Sequence, residues 1–116
     1  MWIMVAGPYR SNSPDPQVWA RNLQDLNKAA YAILLKGHTP VIGVNLALPI
    51  IECAGEGSYD AIMMPLSLSL TERCDAVLRT EGTSLGADEE VERFLERGLP
   101  VFRSLDEIPR SRSVDL

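Results

Sequence analysis

Ala76-Val77-Leu78 and, a few residues on, Ser84-Leu85-Gly86-Ala87-Asp88-Glu89-Glu90 decide the fold. The first is a short apolar run that reads as a buried strand. The second is a polar, glycine-containing turn, and an amphipathic helical pattern follows it. A strand that ends in such a turn and leads into a helix is where open α/β sheets hold ligands. The turn also puts a carboxylate into the first helical turn. There the macrodipole favours the ionised form by roughly 0.3–1 kcal/mol at an exposed site. An ionised, positioned carboxylate is what covalent catalysis by an acidic side chain requires. The plainer reading is that Asp88, Glu89 and Glu90 complement a helix N-terminus, and on spacing alone that reading has precedence.

Working outward, the same alternation recurs. Trp2 to Ala6 is an apolar run closed by Gly7-Pro8 and reads as a first, buried strand. Ser11 to Pro16 is loop. From Gln17 the pattern turns helical, with Val18, Asn22, Leu26, Ala29 and Ile33 on one face, and Gly37 stops it. Thr39 to Ile42 reads as a second strand, while Asn45 to Tyr59 is mixed and has no clear period. Ala61 to Arg73 is a helix in which Pro65 is tolerated only near the start or at a kink. Asp75 to Arg79 is the third strand and Ala87 to Arg97 the next helix, stopped by Gly98. Pro100 to Phe102 is a fourth strand, and Asp106 to Ile108 begins a short final helix. Strands alternating with helices imply a parallel sheet in a layered α/β domain. Residues 1–109 form one domain, and 110–116 are a polar, frayed tail.

The chain has 116 residues, enough for a single core. A net charge of −5 argues against a nucleic-acid backbone or an anionic membrane as the main partner. A small anionic ligand stays open, because local donors bind it whatever the total charge. Two cysteines, Cys53 and Cys74, make neither a disulfide framework nor a metal site, and Cys74 is expected to pack in the core. Met1 to Ala6 is too short for a signal peptide and lacks its basic flank, and no run reaches the length of a membrane span. A cytoplasmic protein is expected.

Few side chains stand out as chemical. Gly7 lets a backbone approach a ligand, Pro8 fixes the turn, Tyr9 offers a hydroxyl and Arg10 a fork for phosphate. Alone, this is also an ordinary strand-terminating turn. Asn22 sits at the centre of an apolar helical stripe, so it either braces the Gly7–Arg10 loop or reaches a ligand, a brace being favoured. In the last long helix Ala87, Val91, Phe94 and Gly98 face inward. Asp88 and Glu90 flank them on opposite sides, and periodicity does not choose between the two. His38, the sole histidine, has no partner at metal-ligand spacing and is expected to cap or pack. Met63-Met64 reads as core filler.

Val5-Ala6-Gly7-Pro8-Tyr9-Arg10, Cys74-Asp75-Ala76-Val77, Ser84-Leu85-Gly86-Ala87-x-x-Glu90 and Gly98-x-Pro100-Val101 together resemble the nucleoside 2-deoxyribosyltransferase superfamily. The likeness runs over residues 2–103 and is nearest to the small bacterial members and the nucleoside 5′-monophosphate N-glycosidases. It implies a flavodoxin-like three-layer sandwich with a parallel four- to five-stranded sheet. It also implies cleavage of the bond between base and sugar by a glutamate nucleophile. The family pattern puts that glutamate six residues after the Asp or Ser of the turn; counted from Ser84, this is Glu90.

Ser84, where transferases on free nucleosides have Asp, and Arg10 imply a 5′-phosphorylated substrate. Gly7, Pro8 and Gly86 would lie against it, and Tyr9 would meet the sugar or base. The family aspartate eight residues before Asp75 is replaced by Ser67. Asp60 is one heptad away from Ser67, about 10 Å along a helix, too far to stand in. Glu81, at the carboxyl end of the third strand, is the candidate substitute acid, whereas Asp75 starts its strand at the wrong end. The resemblance implies no metal, no organic cofactor and a homo-oligomer, with Val44–Ile51 and Met63-Met64 as contact surfaces. Base exchange between nucleosides and a non-catalytic nucleotide-binding module are the alternative functions.

Overall fold

The computed structural model describes residues 1–111; residues 112–116, most of the segment read as a tail, lie outside it. Four parallel strands form one sheet in the order β2-β1-β3-β4. They are β1 (Trp2–Ala6), β2 (Thr39–Val41), β3 (Ala76–Arg79) and β4 (Val101–Phe102). Helices α1 (Pro16–Leu35), α2 (Gly43–Ala54), α3 (Tyr59–Thr71) and α4 (Leu85–Glu96) connect and cover them. The fold is therefore the layered α/β arrangement expected, consistent with a flavodoxin-like sandwich.

Alternation along β1 builds the layers. Ile3 and Val5 face α1 and pack with Leu26, Ala29 and Ile33. Met4 and Ala6 face the other way and pack with Ala87, Val91 and Phe94 of α4. Both central strands are buried on both faces, which is why they read as unbroken apolar runs. Cys74 lies in the α4 layer, and burial pushes its thiol up to about 11, so it packs as a small hydrophobe.

Helix ends follow their residues. Asp15 caps α1 by accepting from Gln17 N at 2.9 Å, and Pro16 takes the first helical position. Gly37, at φ +89°, ends it. His38 is buried, with Nδ1 accepting from the Met1 amine at 2.9 Å and Nε2 donating to Pro109 O at 2.6 Å. Lys36 Nζ donates to Leu105 O and Ile108 O, which seats Ile108 against the α1 layer. At the amino end of the sheet, Asp75 accepts from Trp2 N at 2.8 Å, a structural link far from the carboxyl ends of the strands.

The region without a clear period, Asn45 to Tyr59, holds most of α2, which starts at Gly43. Gly43, Asn45 and Pro49 are poor helix formers, and almost every other side chain is apolar, so no polar face marks the turn of the helix. α2 is held by packing against α3 instead. Likewise α3 begins at Tyr59 and runs through Pro65. Pro65 and Ala61, whose carbonyl loses its helical donor there, are both exposed, so water reaches the freed oxygen.

Candidate functional site

The strand order reverses between β1 and β3: from β1 the chain goes to β2 on one side, and it returns to β3 on the other. The crevice at that switch point is the usual ligand position of open α/β sheets. Here the loops after β1 and β3 are locked into each other. Thr80 N donates to Ala6 O at 2.9 Å. A Cβ on Gly7 would overlap the Thr80 hydroxyl. Gly82, at φ +107°, lies so close to the Pro8 ring that a Cβ there would be 2.8 Å from Pro8 Cγ.

A cleft of about 410 Å³ opens beside these loops. Of the residues named from the sequence, Gly7, Tyr9, Arg10, Ser84, Gly86 and Glu90 line it. Three do not. Asn22 is a brace, donating from Nδ2 to Tyr9 O at 2.7 Å. Pro8, Asn22 and Glu81 border a separate depression of about 260 Å³ together with Asp25 and Thr80. Glu81 is thus absent from the cleft lining, because the chain turns away after Thr80 toward the positive-φ Gly82. Met63 and Met64 line the cleft, and Met63 is also core, so neither is simply filler.

Glu90 and Asp88 are separated clearly. Glu90 is only 8% exposed, while the Asp88 side chain is 62% exposed and paired with Arg79 at 3.1 Å. Burial pushes the Glu90 carboxyl up to about 7, against the Ser67 hydroxyl and the Arg79 guanidinium, which both favour its ionised form. Among the described residues, Glu90 is the one carboxylate lining the cleft. Arg79 is itself buried and fully engaged: it donates to Thr80 O, to Gly82 O at 2.9 Å and to Asp88. It therefore shapes the loop that leads into α4.

The start of α4 faces the same space. Ser84 caps it by accepting from Ala87 N at 3.1 Å, so its hydroxyl proton remains available. Leu85 and Gly86 follow, in the first positions of the helix, where backbone N–H groups have no intrahelical acceptor. Opposite lies the 9–13 loop, with Ser11 at φ +50° and Asn12 at φ +60°, a left-handed pair that costs energy in non-glycine residues. Arg10 leaves this loop against the rings of Trp19 and Tyr59. Burial raises the Tyr59 pKa, so that ring stays neutral.

The floor is closed by Gly43 and Ser67. A Cβ on Gly43 would overlap the Ser67 hydroxyl and sit 3.3 Å from Ser67 Cα. Gly43→Ala is expected to cost about 1–3 kcal/mol of stability in urea unfolding, the usual range for overpacking. Ser67→Gly in the same chain should recover most of it. A Gly43→Ala protein as stable as the parent would show that α2 and α3 are not packed this closely.

Among the described residues no group of three or more His, Cys, Asp or Glu side chains could hold a metal ion. Nor is any helix there long and apolar enough to cross a membrane. No family model matches the chain, and no curated protein matches it.

Proposed function

We propose that the protein is an N-glycosidase acting on a nucleoside 5′-monophosphate, with Glu90 as nucleophile. The observation that carries the reading is one cleft holding, among the described residues, a single buried carboxylate, an arginine in no ion pair and the open N-terminus of α4. The cation and the helix terminus suit a phosphate. The carboxylate suits the anomeric carbon. Its ionised form attacks, the base departs with the bonding pair and takes up a proton, and a glycosyl ester forms on Glu90. Water then cleaves the ester, releasing sugar 5-phosphate and regenerating the carboxylate. Tyr9, also in the cleft, would meet sugar or base.

The reading is tested by incubating the protein with a panel of ribo- and deoxyribonucleoside 5′-monophosphates and following free base. A new nucleoside formed when an acceptor base is supplied would favour base exchange instead. One observation favours a second reading, a nucleotide-binding module without turnover: among the described residues no second carboxylate lines the cleft to protonate the leaving base. Ligand that binds yet stays intact for hours with excess protein would establish that module.

Ser84→Asp separates phosphate binding from nucleoside binding. Aspartate caps a helix as well as serine does, so α4 should survive the change. Next to a phosphate of charge near −2 a carboxylate repels, and it removes the hydroxyl donor. Losing a hydrogen bond to a charged group costs about 1.5–3 kcal/mol. The affinity for a monophosphate should therefore fall roughly tenfold or more. Affinity for the matching nucleoside should hardly move. An unchanged ratio between the two ligands would remove Ser84 from the phosphate.

In the same reading the protein acts as a two-fold dimer. Met63 is buried, so the contact surface is the outer side of α2, where Leu46 and Ile50 are exposed. Light scattering at high micromolar concentration should give twice the chain mass; a monomer mass would refute the dimer.

A further inference from the structure

Two arginines stand near the cleft, and they are treated in opposite ways. Arg79 spends its donors on two backbone carbonyls and on Asp88. An arginine that serves only the fold is satisfied like this. Arg10 is not. Among the described residues its buried Nε has no hydrogen-bond partner and no carboxylate pairs with it.

Arg10 is instead packed against two aromatic rings. Its Cζ lies 4.1 Å from the centroid of Trp19 and 3.6 Å from that of Tyr59. Trp19 comes from α1, nine residues on, and Tyr59 opens α3 far along the chain, so two helices converge on one planar cation. Trp19 also holds the backbone from which Arg10 projects, donating from Nε1 to Ser13 O at 2.7 Å.

With two rings within about 4 Å of its carbon, the guanidinium is held in place and has its N–H groups to offer a ligand. An N–H fork fits an oxyanion. A nucleobase would have to displace one of these rings to stack on Arg10, so the base is expected elsewhere in the cleft. We propose that Trp19 and Tyr59 are positioning residues: they clamp Arg10 at the cleft and reserve that end for the phosphomonoester of the ligand. The clamp rests on the reading that Arg10 receives the phosphate. Its effect is preorganisation, since a guanidinium already held in place loses little freedom on binding.

The test uses base-free probes: ribose 5-phosphate and ribose, titrated into the ¹⁵N-labelled protein and followed by amide shifts, which also report folding. Arg10→Gln should weaken ribose 5-phosphate by about tenfold or more, the loss expected for a charge-assisted contact. Trp19→Leu and Tyr59→Leu should weaken it by about tenfold through lost stacking and ordering. Tyr59→Phe, which keeps the ring, should bind within about twofold of the parent. Ribose should bind all of them equally. If Trp19→Leu does not fold, the Tyr59 pair together with Trp19→Phe decides. The clamp alone is overturned if Arg10→Gln loses the phosphate ligand but the leucine variants keep it. It is equally overturned if Tyr59→Phe is as weak as Tyr59→Leu, or if ribose and ribose 5-phosphate weaken together. If the parent does not bind ribose 5-phosphate, or Arg10→Gln binds it unchanged, the phosphate reading itself falls.

Discussion

Glu90→Gln is expected to abolish release of free base while making the protein more stable above pH 7. The amide keeps the shape of the side chain and loses the nucleophile, so ligand binding should persist. The gain in stability follows from burial. In the folded chain the carboxyl is held near pKa 7, against an ordinary value of 4.5. The folded state therefore retains a proton that the unfolded chain has released, and stability falls as pH rises from about 4.5 to about 7. At 1.36 kcal/mol for each pKa unit, the full effect is about 3 kcal/mol. Glutamine stands in for the protonated form and does not titrate. The two proteins should unfold alike in urea below pH 4.5 and diverge through pH 7. Asp88→Asn is the comparator. Asp88 is largely exposed, and asparagine keeps the Oδ1 that accepts from Arg79, so turnover should stay within a few fold. Equal loss of activity in the two variants would leave Glu90 without support as the nucleophile.

The same carboxyl sets the pH dependence. A nucleophile acts ionised, so kcat/KM should rise with pH to a plateau above about 7. Below that it should fall tenfold per unit, leaving roughly one hundredth of the plateau rate at pH 5. Ser67→Ala removes a hydroxyl that favours the ionised form, and the rise should move to higher pH. A rate that instead falls as pH climbs through 7 would make Glu90 a proton donor and end its role as nucleophile.

Much of the fold could be read from the chain because local signals agreed with one another. β1 and β3 are short apolar runs ended by polar turns, and Asp15, Gly37, Ser84 and Gly98 sit at helix ends as their chemistry demands. α2 was hidden because Pro49 and Gly43 argue against a helix and its apolar side chains carry no period. The residues of the candidate cleft were legible where they follow a strand end: Gly7, Tyr9, Arg10, Ser84, Gly86 and Glu90 line one cleft. The choice of Glu90 over Asp88 as the buried group needed the packing of α3 and Arg79 against α4, which no wheel contains. Glu81 read as a cleft residue from its place after β3 and lies outside the cleft, because the course of its loop is tied to the approach of Gly82 to Pro8, a tertiary contact. Trp19 and Tyr59 gave no signal at all, since each meets Arg10 only across the fold.

The mutual locking of the loops after β1 and β3 bears on how the molecule breathes. Neither Gly7 nor Gly82 can leave its neighbour without the other loop moving too. Their amides should therefore exchange with solvent at a shared rate, as one cooperative unit. A ligand seated against either loop would slow exchange in both, including at backbone positions that it never touches.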